Sequence, residues 1–424
     1  MTEKEARQLV TRVLDVGERM LLCGAEVSRV EDSISRMLRS FGAERVEVFT
    51  ILSYMSLTAM FPDFTEVTEI RRVSIVAYSN DFARLEQLNA LSRNLCQHPS
   101  LSLLEEGLGQ LPLGPGQKRR RELCLLLGYV LSGFGFALFF GGSYLDALGA
   151  GLCCLVVWFL NWLLKKSALQ RLFHAFLISF IAGILSYLVI LMGLGEHPGQ
   201  IMMGVIMVLI PGIAMTNSMR EVLISDTISG ILRLIESLLT ATAVAFGFAL
   251  AMVAFGGLFP EEPFTSLAAD ALWMQLFSVA VGTLGFFLLF HSRPNRLIPG
   301  VLGGMLTWII YRGLSPVLSS SFLCVAAAAA FGAAYAEIMA RVCKAPATVF
   351  TILAEISLIP GASLYLTMYH LVAGRHTEAL SFGGSTLLTA LSIALGIVFV
   401  TAFTTSFYSR RKRPATHHKH SPRH

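Results

Sequence analysis

Ten apolar stretches occupy the chain between residues 123 and 407: 123–140, 144–164, 172–194, 200–216, 232–258, 267–290, 297–312, 321–341, 345–371 and 384–407. Each is near the length of about 20 residues that a helix needs to cross roughly 30 Å of hydrocarbon. Inside a bilayer every backbone N–H and C=O must find its partner within the protein, which leaves only helices and closed barrels. Segments of this length select helices. Composition agrees, because 54% of the residues are hydrophobic and 14% charged, against roughly 25% charged in soluble domains. The expected membrane domain is all-α.

The first 117 residues read differently. Leu9, Val13, Val16 and Met20, then Val27, Val30, Ile34, Met37 and Leu38, keep helical spacing, with Gly24 and Gly42 as breaks. Arg45 to Met60 and Glu66 to Tyr78 are rich in Val, Ile, Thr and Phe, and Pro62-Asp63 divides them, so two paired strands are expected. Phe82 to Cys96 returns to helix behind Asn80 or Asp81 as N-cap, and Ser100 to Gln117 reads as a linker. These pieces make a cytoplasmic α+β domain over residues 1–117, at about 100 residues large enough for its own core. The charged start MTEKEARQLV has no apolar core of a signal peptide, so none is expected. Seven cysteines without CxxC or ligand spacing argue against a disulfide framework, a metal centre or another cofactor. The basic, His-rich tail over 409–424 is expected to be disordered, metal binding by its histidines being the lesser reading.

Charge sets the orientation. With the N-terminus inside, Lys118 to Arg121, Lys165, Lys166, Arg171, Arg220, Arg233, Arg293, Arg296, Arg341, Lys344 and the RRKR run at Arg410 all fall on inner flanks. The opposite loops carry only Arg312 and Arg375, beside Glu196, Glu261 and Glu262. The positive-inside rule then places both termini in the cytoplasm. The net charge of +5 serves the lipid bilayer, and no nucleic-acid partner is expected.

One span is broken. Pro211-Gly212 interrupts the fourth, and a polar cluster of Thr216, Asn217, Arg220, Glu221 and Asp226 follows before the next helix brings Arg233 and Glu236. Proline removes a donor and clashes with the preceding turn, leaving carbonyls unpartnered, which lipid tolerates only beside protein or a wet cavity. Leu209-Ile210-Pro211-Gly212 recurs as Leu358-Ile359-Pro360-Gly361 in the ninth span, the fourth of the second five. Two halves, 118–260 and 261–408, are therefore expected, and five spans apiece would make them inverted copies with their breaks meeting. Corresponding Pro/Gly interruptions point to a transporter's substrate site. A third LIPG, Leu297 to Gly300, sits behind Arg293 and Arg296 and reads as a helix entry.

The residues also resemble a known family. CGAEVSRVEDSISRMLRSFG, with Gly24, Arg29, Val30 and Glu31 at its core, is similar to the threonine/serine exporter family. So is LIPGIAMTNSMREVLISDTISGILRLIES, through Pro211, Gly212, Asn217, Arg220, Asp226, Ser229, Gly230, Arg233 and Glu236. KAPATVF and SLIPG (Pro346, Pro360, Gly361) resemble its second domain, so the likeness is to the fused form and covers nearly the whole chain. Glu221 stands where the pattern expects Asp, and Glu355 where it expects an uncharged residue. The resemblance implies a bacterial inner-membrane exporter of small hydroxy amino acids, driven by the proton motive force. Split relatives are associated with dicarboxylate export, which stands as the alternative substrate.

Pro211, Gly212, Thr216, Asn217, Arg220, Pro360 and Gly361 are the candidate substrate-binding residues. Asn217 and Thr216 suit an ammonium or hydroxyl group or a helix cap, and Arg220 suits a carboxylate fork or inner-face anchoring. Arg233 and Glu236, three apart on one face, are expected to pair, with Asp226 completing an inner charge network. Glu355 has apolar neighbours, where an unpaired carboxylate costs several kcal/mol, and is the candidate proton carrier. Glu337 and Arg341 read as a structural i, i+4 pair. One proton entering at roughly 150 mV supplies about 3.5 kcal/mol, enough for a gradient of the order of 300-fold. No GxxxxGK[ST] motif for ATP occurs. A homo-oligomer is left open. The non-transport alternative is a membrane-anchored sensor or enzyme, against which ten spans far exceed an anchor.

Overall fold

The computed structural model describes residues 2–51, 53–62, 65–73, 80–110, 115–165, 169–223, 227–255 and 271–411. In the first domain, α1 (Glu3–Leu22) starts from a capping box in which Thr2 accepts from the Glu5 N–H and Glu5 accepts from the Thr2 N–H. Its stripe of Leu9, Val13, Val16 and Met20 is fully buried against α2 (Val27–Ser40) and the sheet. The expected breaks are real turns: Gly24 and Gly42 hold φ of +91° and +94°, a region where a Cβ is strained.

The sheet corrects the two-strand expectation. Three antiparallel strands run in order β1 (Arg45–Ile51), β2 (Tyr54–Met60) and β3 (Glu66–Arg72), with Arg45 opposite Met60 and Ile51 opposite Tyr54. The reversal between Ile51 and Tyr54 carries none of the Gly, Pro, Asn or Asp that usually mark one, so the segment reads as a single strand. Residues 74–78 of the second expected strand lie outside the described residues. Helix α3 (Phe82–Gln97) is capped by Asp81, whose carboxylate accepts from the Arg84 N–H. The expected linker is instead largely helical. Ser100 caps α4 (Leu101–Gly109), and Leu104 and Leu108, one turn apart, bury against the domain core, which outweighs its glycines.

Among the described residues, eight helices are long and apolar enough to cross a membrane, up to ten spans if each of two bent pairs counts as one. They are α5 (Pro115–Phe139), α6 (Tyr144–Leu164), α7 (Arg171–Leu191), the pair α8 (Pro198–Leu209) and α9 (Gly212–Leu223), and α10 (Thr227–Phe255). The second set is α11 (Leu272–Leu289), α12 (Leu297–Leu314), α13 (Ser321–Cys343), the pair α14 (Ala347–Glu355) and α15 (Gly361–Val372), and α16 (His376–Arg411). The third LIPG does open a helix, at Leu297. The boundary between the expected halves, near 260, and residues 412–424 lie outside the described residues, while 409–411 of the expected tail continue α16 as helix.

Neighbour relations repeat between the two sets. α5 packs on α6, α6 and α7 on α8, α7 on α10 and α9 on α10; likewise α11 packs on α12, α12 and α13 on α14, α13 on α16 and α15 on α16. The sets join where α5 meets α11. Small residues let these backbones touch, a methyl at Gly135 striking the Gly282 backbone and one at Gly285 striking Ser132. Gly135→Ala is expected to destabilise the purified protein by about 1–3 kcal/mol, read as a lower thermal midpoint. Gly384→Ala, where a methyl meets open space, should cost nothing.

The α+β domain is seated on one end of these helices. Glu86 pairs with Arg293 at 3.2 Å and Arg296 at 2.9 Å, Asp81 pairs with Arg121, and the Phe82 N–H donates to the Phe290 carbonyl at 2.9 Å.

Candidate functional site

Both LIPG breaks share the turn before proline, although α8 stays α-helical to Leu209 while a 3-10 turn over Ile356–Leu358 leads into the second. The residue before each proline is forced out of the helix, Ile210 to φ −68°, ψ 136° and Ile359 to φ −59°, ψ 129°. The first pair bends by 51° and the second by 45°. The breaks touch each other reciprocally: a methyl on Gly212 would strike the Ile359 side chain, and one on Gly361 the Met207 sulfur. Only glycine permits this approach. At the start of α9 the first hydrogen bond runs from the Met215 N–H to the Pro211 carbonyl, so the N–H groups of Gly212 and Ala214 have no acceptor among the described residues.

Two spaces flank the breaks. A cleft of about 390 Å³ is lined by Pro211, Gly212, Ala214 and Asn217 from the first break and by Ile356 and Ile359 from the second. Its remaining polar wall is Arg171, Arg233, Glu236 and Tyr129, with Gly24 and Asn80 contributed by the α+β domain. A second chamber of about 20 Å³ is lined by Thr216, Asn217, Arg220, Thr348, Thr351 and Glu355. Asn217 and Ile359 belong to both and form the partition between them. The cleft has the size of a small-molecule site, whereas the chamber holds about one water.

Pro211, Gly212, Thr216, Asn217, Arg220 and Glu355 line one or both of these spaces, whereas Pro360 and Gly361 line neither and sit at the second break, Gly361 against Met207. Arg220 is not a loop anchor. It lies within α9, 5% exposed, and its guanidinium pairs at 3.0 Å with Glu26 of the α+β domain. The Thr348 hydroxyl donates to the same Glu26 oxygen at 3.0 Å. Burial alone would raise the Glu26 carboxyl, but the charges of Arg220 and Arg29, with the Thr348 hydrogen bond, hold it below the usual carboxylate range. Because the folded value is the lower one, this pair adds stability above the ordinary range and loses it as pH falls through the lowered value. The thermal midpoint of the full-length protein should accordingly fall on acidification, and Glu26→Gln should remove that component.

Glu355 is 4% exposed, and neither carboxylate oxygen has a hydrogen-bond partner among the described residues. It ends α14 beside Gly332 and Thr307, sharing the chamber with Arg220 but forming no ion pair with it.

The expected Arg233–Glu236 pair does not form. Arg233 instead reaches Glu221 on α9 at 3.1 Å, and Glu236 pairs with Arg171 on α7. Both Arg233 and Glu221 are nearly buried, so the cross-helix partner wins: an unpaired buried charge costs far more than a local surface pair yields. Asp226 lies outside the described residues. Glu337 and Arg341 do pair, at 3.0 Å.

Glu26, Thr348 and Thr351 were missed from the sequence. The available signal was a glutamate at the N-cap of α2, a position that favours Ser, Thr, Asp or Asn; its side chain makes no cap bond and reaches outward. A further polar cluster, Asp146, Glu196 and His197, is a structural staple. Asp146 is fully buried and its oxygens accept from the backbone N–H groups of Ser143, Glu196 and His197 and face the His197 ring at 2.9 Å. With the His197 Nδ1–H donating, all four acceptor positions of Asp146 are engaged.

A family model for threonine/serine exporters matches residues 12–255. The chain belongs to the threonine/serine exporter family. A second model, described as threonine/serine exporter, ThrE, matches residues 275–403, which bears out the fused arrangement of the two exporter domains. A curated relative from Corynebacterium glutamicum, named threonine/serine exporter, is 21% identical over 406 residues, covering 90% of this chain and 80% of its own length. No solved structure matches. Membership and the apolar helices together make this a multi-pass membrane protein of a transporter family, and both family models include the break helices: α8 and α9 in the first, α14 and α15 in the second.

Proposed function

We propose that this exporter expels threonine and serine from the cytoplasm in exchange for protons. The observation that carries the reading is the meeting of two proline breaks beside a cleft, with a buried, unpartnered Glu355 just beyond the partition. Free N–H groups at the start of α9 suit a substrate carboxylate at the cleft stage. Arg220, eight residues further along the helix and so about 12 Å away, is the next anion station. Thr216, Thr348 and Thr351 supply hydroxyls beside Asn217 for the substrate's own hydroxyl and ammonium groups. Glu355 takes up and releases the proton. The repeated neighbour pattern and the odd number of spans per set support two inverted halves, with both termini and the α+β domain in the cytoplasm.

The test is reconstitution in liposomes under an imposed proton gradient, with a panel of amino acids and dicarboxylates. Threonine and serine should move and drive proton flux. The arginines around the site favour dicarboxylates as the second reading, so succinate movement without threonine movement would replace the first. In cells, loading with a threonine-containing dipeptide should give efflux that disappears on deletion.

A further inference from the structure

The sequence motif CGAEVSRVEDS has no role assigned in the transport route described so far, yet its second and fourth residues reach the inner mouth. Gly24, at φ +91°, turns the chain between α1 and α2 against Asn80. Two residues on, Glu26 leaves the α+β domain and enters the membrane domain, where a single carboxylate oxygen meets both Arg220 and the Thr348 hydroxyl at 3.0 Å. Arg220 lies on α9, directly after the first break; Thr348 lies in the first turn of α14, directly before the second. One carboxylate therefore ties together the two broken spans from outside. The Glu26 side chain is 22% exposed and that of Arg220 only 6%, so the chamber's anion site is occupied by the protein's own acid.

We propose that Glu26 is an internal mimic of the substrate carboxylate, so that the α+β domain is the inner gate of the exporter: substrate must displace Glu26 from Arg220 to pass the partition. The proposal rests on the transport reading above and assigns the α+β domain a role in it. The chemistry matches at each point. Glu26 offers a carboxylate to a guanidinium and accepts from a hydroxyl, as an amino-acid carboxylate would. The position matches too, because the two groups that hold Glu26, Arg220 and Thr348, both line the chamber. Gly24 and Asn80 line the cleft from the same domain, so withdrawal of the Glu26 turn would widen both spaces together.

The experiment uses the full-length protein as wild type, Glu26→Gln, and the charge swap Glu26→Arg with Arg220→Glu. In proteoliposomes, KM for threonine on the cytoplasmic face should fall 3- to 10-fold in Glu26→Gln, since a competitor has been removed. A mere tether would instead leave KM unchanged or raise it, and that result overturns the proposal. Hydrogen exchange, which needs no substrate, gives the second readout. Amides of α9 and the first turn of α14 should exchange several-fold faster in Glu26→Gln, while α1, α3 and α4 keep wild-type rates. The charge swap should restore slow exchange without restoring the wild-type KM, because the latch re-forms but the anion site does not. Unchanged exchange in Glu26→Gln overturns the latch. If wild type moves no threonine while the exchange results hold, the substrate assignment fails and the latch stands.

Discussion

Glu355→Gln should abolish uphill transport while leaving the protein folded. An amide keeps the shape of the carboxyl group but carries no proton, so the driving term of about 3.5 kcal/mol at roughly 150 mV is lost. The accumulation ratio attainable in proteoliposomes should then fall from the order of 300-fold to about 1. Downhill exchange of labelled for unlabelled substrate should persist, since it needs no net proton movement. Glu355 makes no hydrogen bond among the described residues, so the thermal midpoint should shift little. Uphill transport surviving in this variant would remove Glu355 from the coupling mechanism.

Arg220→Ala should have the second large effect, and on two properties at once. A hydrogen bond to a charged group contributes about 1.5–3 kcal/mol, so KM for threonine should rise by roughly 10- to 150-fold. The same change strands Glu26 opposite Thr348 alone. Because Glu26 is partly exposed, the stability cost should be nearer about 1–2 kcal/mol than the larger penalty of a fully buried broken pair. Arg220→Lys keeps the charge but not the fork, and should fall between the two. Transport kinetics and thermal unfolding of one preparation check both.

Local rules in the sequence were enough for the spans, the two breaks and the helices of the first domain. Proline dictates the conformation of the residue before it, so Ile210 and Ile359 had little choice. Apolar periodicity likewise gave α1, α2 and α3 nearly to the residue. What stayed hidden depends on distant partners. The β1–β2 turn offers only Ser53 as a turn former, with no Gly, Pro, Asn or Asp, and its register is set by pairing rather than by local preference. Arg233 lies three residues from Glu236, but the choice of Glu221 depends on how α9 and α10 pack. Glu26 is separated by 322 residues from Thr348, so no spacing rule could have joined them. Thr348 itself looked like one more small polar residue at a helix start.

The reciprocal seating of Gly212 under Ile359 and of Gly361 under Met207 has a mechanical consequence. Each elbow is packed into the other through a side chain, so straightening one requires Ile359 or Met207 to be displaced from its seat. That contact is where a movement of one broken span would first be felt by its counterpart.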